Sequence, residues 1–163
     1  IRMVKKVDKP IRLYVMTIFI VIAYGLLPLV SVFPFTGGLL LVGPRFLPFN
    51  GSIQVLYDSN GEIPMMLLLV TLGLSLLAVS SAIVTFLGVK EGRAATLILI
   101  TLDVGWWFYL VVTAMTNSEN APDKLRLGLQ LLFPPLWLVF VWWNMTRPDI
   151  GNWLRYQEQH NNW

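Results

Sequence analysis

The sequence lacks cysteine, holds a single histidine and is poor in charge. Without thiols there can be no disulfide, thiolate metal site, iron–sulfur cluster or cysteine nucleophile. The one histidine, His160, stands near the end of the sequence, so a His-ligated haem inside a bilayer is excluded. Also missing are a Gly-rich phosphate loop, a Ser–His–acid set and a cluster of metal ligands. With none of these constellations the sequence reads as non-catalytic, with no identifiable cofactor. Charged residues make up 13% of the chain, against about 25% in an ordinary soluble domain. No basic stripe with interleaved aromatics appears, which argues against nucleic acid as a partner.

What is present is apolar. Hydrophobic residues are 56% of the 163, and the mean hydropathy is +0.66. A compact soluble chain of this size needs more polar surface than that, so the reading is an integral membrane protein in contact with the lipid bilayer. A hydrocarbon core of about 30 Å takes roughly 20 apolar residues of helix. Four such runs are found: Leu13 to Phe33, Pro64 to Leu87, Ala94 to Met115, and about Leu125 to Met145. Backbone groups in lipid must be satisfied within the segment, so these are expected to be helices. The expected fold is an all-α bundle of four transmembrane helices in a single membrane domain.

Orientation follows from Lys and Arg. With four crossings both termini share a side, and that side holds Arg2, Lys5, Lys6, Lys9, Arg12, Lys90, Arg93, Arg147 and Arg155, nine of the twelve basic residues. The positive-inside rule then places both termini in the cytoplasm, in a plasma, inner or equivalent energy-transducing membrane. The first run resembles a secretion signal, but it is long for one and no A-x-A-like site follows, so it is expected to be a retained anchor. The biological start is expected at Met3 or a few residues upstream of Ile1.

The outer loop, Pro34 to Ile63, is too long for a plain connection. Gly43-Pro44, Asn50-Gly51 and Asn60-Gly61 are turn signals, and Leu39–Val42 and Ser52–Tyr57 have strand character. A small β-hairpin or sheet is therefore expected there. Asn120-Ala121-Pro122-Asp123 reads as a helix start. The tail, Thr146 to Trp163, reads as a short amphipathic segment on the inner leaflet, with a polar end.

Asp103 is the sharpest feature, a lone acid near the middle of the third run. An ionised carboxylate there costs at least ~2.5–3.5 kcal/mol, so it must be neutral, hydrogen-bonded, paired or facing water. By helical spacing it shares a face with Thr96, Ile100, Trp107, Leu110 and Ala114. Three roles fit it: an ion- or proton-binding group, a polar contact to a partner subunit, or internal glue to a Ser, Tyr or Trp of another helix. Thr71, Ser75, Ala78, Ala82 and Thr85 form a stripe of small residues suited to close helix packing, and Ala94, Ile98, Thr101, Gly105, Phe108 and Val112 offer a matching stripe on the third run. Pro134-Pro135 should kink or break the fourth helix. Among seven tryptophans, Trp142 and Trp143 suit an interfacial belt, whereas Trp106, Trp107 and Trp137 lie deeper, where indoles pack against rings, bound lipid or carotenoid. Glu91 and Asp149 are expected to form surface ion pairs with Lys90, Arg93 and Arg147.

Two functions are compatible with this, the first the expected one and the second its alternative. One is a non-catalytic accessory or scaffold subunit of a larger membrane complex, packed through helix faces and the outer loop onto other membrane subunits. The other is a small ion or proton transporter or channel using Asp103, alone or as a homo-oligomer.

Overall fold

A computed structural model describes residues 8–28, 47–60, 65–118 and 121–160. These residues form helices and the turns between them. Helix α1 (Ile11–Ile20) runs on into a wider π-helical segment (Val21–Leu26). Then come α2 (Pro48–Asn60), α3 (Met65–Phe86), α4 (Lys90–Asn117), α5 (Ala121–Gln130), α6 (Phe133–Met145) and α7 (Pro148–His160). Three helical stretches are long and apolar enough to cross a membrane: Met65–Phe86, Lys90–Asn117 and Lys124–Met145. The described part of the first run, Ile11–Leu26, is apolar but shorter.

Among the described residues there is no strand, which corrects the expected β-hairpin. Ser52–Tyr57 is helical, inside α2, while Leu39–Val42 lies outside the described residues. The alternation in Ser52-Ile53-Gln54-Val55 does not mark one wet and one dry face, because every residue from Phe49 to Leu56 is buried. With no water at either face, the backbone must satisfy its own hydrogen bonds, and a helix does so where an open two-stranded ribbon does not. Pro48 suits the first position, since its missing N–H would be unpaired there in any case.

The extensive contact between α3 and α4 organises the bundle. Their turn is closed by Gly88 at φ 99°. Gly88 N–H bonds to Thr85 O and Val89 N–H to Val84 O, the pair of bonds that ends a helix on a left-handed glycine. Thr71, Ser75, Ala78, Ala82 and Thr85 are all buried in α3. Thr85 Oγ1 lies 3.2 Å from Thr96 Oγ1, and a Cβ added to Gly92 would stand 2.7 Å from the Thr85 backbone nitrogen. The α4 side of this contact is therefore the Gly92–Thr96 face. The stripe expected from small residues is turned outward: Ile98 and Phe108 are exposed, and Gly105 has open space beside it.

Helix α1 packs on α3 and α6, α2 on α4 and α3, and α6 on α4. Two apolar clusters result. One joins Leu13, Ile20, Ala82, Ile100, Met145 and Trp153; the other joins Phe49, Ile53, Leu68, Trp107, Val111 and Leu127. The described part of the tail is the helix Pro148–His160. Its residues Ile150, Trp153 and Leu154 are buried in the first cluster.

The stretch Lys124–Met145 is interrupted at Leu131–Leu132, just before Pro134-Pro135. Neither proline can donate to the carbonyl four residues back, so Gln130 and Leu131 lose their usual partners and the helix restarts with prolines in its first turn. The π segment has a similar origin. Pro28 offers no N–H to Tyr24 O, and Leu27 N–H instead reaches back to Ile22 O.

Candidate functional site

Asp103 stands at the midpoint of α4 and is fully buried. The neighbours expected on its face, Thr96, Ile100, Trp107, Leu110 and Ala114, are all buried as well. The acid lies between the two apolar clusters, with Ile100 and Val104 in one and Trp107 in the other. The Tyr24 hydroxyl, delivered by the π segment, faces the carboxyl. Yet neither Oδ1 nor Oδ2 closes a hydrogen bond of good geometry. Tyr24 Oη also accepts from Trp137 Nε1 at 2.9 Å, which leaves its O–H free to point at the carboxyl. A line of polar groups thus runs from α6 through the first helix to the acid.

Other orphan polar atoms lie on the helices packed around it. Thr17 Oγ1, Ser52 Oγ, Ser75 Oγ and Trp107 Nε1 are buried without a partner. The antiparallel register of α3 and α4 is fixed by Thr85 beside Thr96 and by Trp106 Nε1 donating to Thr71 Oγ1 at 3.2 Å. That register brings Ser75 to the level of Asp103. Helix α2 enters with its N-terminal end deepest: Leu47 packs on the cluster around Ile100, and Gly51 lies flat on the Trp107 indole, where any Cβ would collide. Its later residues Val55 and Leu56 reach the level of Ala114 and line a cleft of about 300 Å³ with Trp106, Tyr109, Thr113 and Asn117. The acid is not part of that cleft. The positive end of the α2 dipole is consequently directed toward the middle of α4.

The small-residue stripe and the deeper tryptophans lie inside the chain's own packing. Thr71, Ser75, Ala78 and Ala82 face α4, Trp107 is buried, and the half-buried Trp106 and Trp137 donate their N–H groups within the chain. Tyr24 and Gly51 were not singled out by sequence reasoning. A tyrosine mid-way along an uncharged run is the signal that could have found the first. Gly51 reads equally well as a turn residue, so its close approach to Trp107 had no signal of its own.

The end of the bundle that carries α7 is basic. Lys9 Nζ donates to Phe86 O, the last carbonyl of α3, at 2.8 Å, and sits 3.6 Å from the Phe86 ring centroid and 5.1 Å from that of Trp153. This is a cation at a helix C-terminus inside an aromatic cage, and burial holds its pKa below the ordinary lysine value. Among the described residues the ion pair formed here is Lys90–Glu158, at 3.3 Å, rather than one using Glu91 or Asp149.

Among the described residues no group of three His, Asp or Glu side chains gathers to hold a metal ion. One carboxyl with a phenol beside it falls well short of the six to eight oxygens that calcium takes. No protein-family model, no curated protein and no solved structure matches this chain.

Proposed function

We propose that this chain is an integral membrane protein that takes up and releases a proton on Asp103, as a small transporter or channel. The observation that carries this is the fully buried carboxyl at mid-helix, which the Tyr24 hydroxyl faces. Internal glue would saturate both carboxyl oxygens with good geometry, and a contact to a partner subunit would reach the surface. An intramembrane ionisable group that does neither is by default a functional one. Its surroundings serve both charge states. The apolar clusters favour the neutral acid, whereas the Tyr24 hydroxyl and the inward end of α2 give a carboxylate something to lean on. Interrupted helices converge here too, and irregular backbone at membrane depth is found where it is buried in protein or lines a pathway.

In this reading the first apolar helix supplies a fourth crossing, and both termini are cytoplasmic. The gathering of Lys9, Lys90, Arg93 and Arg155 at the α7 end supports that orientation. The test is a pH gradient imposed across liposomes holding the purified protein, followed with an internal dye. Wild-type protein should dissipate the gradient, Asp103→Asn should slow it at least tenfold, and Tyr24→Phe should fall between. Equal rates for wild type and Asp103→Asn sink the proposal, as does a wild type no faster than empty liposomes.

A second reading, an accessory subunit of a larger complex, is favoured by one exposed aromatic face. Phe19 and Phe140 pack edge to face at 6.1 Å, and Trp143 follows one turn along α6, all three exposed. Such rings suit another helix, a lipid or a carotenoid. Gentle extraction and native mass measurement should then return other chains bound to this one.

A further inference from the structure

The arginines around α7 are arranged unlike the other cations of that end. Lys9 has its carbonyl and Lys90 its carboxylate. Arg93, one turn into α4, is half-buried and lies over Gly151, where an added Cβ would stand 3.0 Å from Nη1. Its charged neighbour is another arginine, Arg155, within coulombic range and repelling it. Arg147, Gly151 and Arg155 follow at four-residue spacing along one side of α7, so Arg93 sits beside a row with an arginine at each end. The Arg147 guanidinium stacks on Trp143 at 4.1 Å, and its Nε is buried without an acceptor.

Among the described residues no carboxylate answers these three. Glu158 is taken by Lys90. Asp149 stands two residues from both Arg147 and Gly151, and Glu91 two from Arg93, spacings that put them on other sides of their helices. Guanidiniums held together without an anion repel one another, and planar forks of donors match the oxygens of a phosphate. The height of the cluster says where that phosphate comes from. Helix α4 has 28 residues, about 42 Å of helix against a hydrocarbon core of about 30 Å. A helix of that length outreaches the core, and the exposed Trp143 beside Arg147, the kind of ring that settles in the headgroup layer, marks this end as one that lies there.

We propose that Arg93 and Arg155 bind the phosphate of an anionic lipid headgroup at the α7 end of the bundle. Nothing in this depends on Asp103. The test titrates the full chain, in mild detergent, with short-chain phosphatidylglycerol, short-chain phosphatidylcholine and inorganic phosphate. Binding is read from tryptophan fluorescence and from the melting temperature. Phosphatidylglycerol should bind saturably and raise the melting temperature, and the other two should do neither. Arg93→Gln and Arg155→Gln should each weaken binding about fivefold, the factor expected for one basic residue at an anionic surface. Arg93→Lys should not restore it, because the fork is lost. Arg155 is exposed, so Arg155→Gln carries the test even where Arg93→Gln folds poorly. Equal binding of phosphatidylcholine, or unchanged affinity in Arg155→Gln, overturns the proposal. An equal response to inorganic phosphate overturns the assignment to a lipid.

Discussion

The two sides of α4 are built on opposite terms. Toward α3 the polar groups other than Ser75 are answered at short range: Thr71 Oγ1 donates to Leu67 O at 2.9 Å while accepting from Trp106, Thr96 Oγ1 donates to Gly92 O at 2.8 Å, and Thr85 and Thr96 meet each other. Toward the first helix and α2 they are not: Asp103 and Trp107 are buried with bonds unmade. A buried polar atom without a partner costs about 1–3 kcal/mol, and a chain that can saturate one interface is able to saturate another. The seam with α3 is where this protein is held together, and the opposite side is where stability has been given up.

Three substitutions break or sharpen that contrast. The largest effect is expected from Gly92→Leu, which drives a side chain into the Thr85 backbone. It should lower stability by about 3 kcal/mol, read by thermal unfolding in mild detergent. Next, Asp103→Leu should act in the other direction, raising stability by about 2 kcal/mol by removing an unanswered acid, while abolishing proton movement in liposomes. A loss of stability there would mean the carboxyl is structural after all. The smallest is Thr71→Val, which deprives Trp106 of its acceptor and should cost about 0.6 kcal/mol, the average for a hydrogen bond between membrane helices.

The same contrast explains how much could be read in advance. The three long apolar stretches follow from length and composition, because few sequences of that kind have another stable home. The buried face of α4 was legible through Asp103, since a charge has one tolerable direction to point. Gly105, Ile98 and Phe108 misled for the matching reason: among apolar helices an apolar residue is equally at ease inside and outside, so only polar residues mark the interior. Helix α2 was illegible because its buried stretch, Phe49 to Leu56, is enclosed on every side. Hydrophobic periodicity records the difference between two environments, and that stretch meets only one. The setting of Asp103 was equally hidden, because Tyr24 is brought to it by a π segment whose cause, Pro28, lies a full turn downstream.

The buried side chains of α7 have a practical corollary. Ile150, Trp153 and Leu154 plug the mouth of the bundle between α1, α4 and α6, and Trp153 helps enclose the Lys9 ammonium. Trimming the chain before Pro148 would uncork that end and admit water along the first helix, so a purification handle belongs beyond His160 on a spacer, with the helix itself left whole.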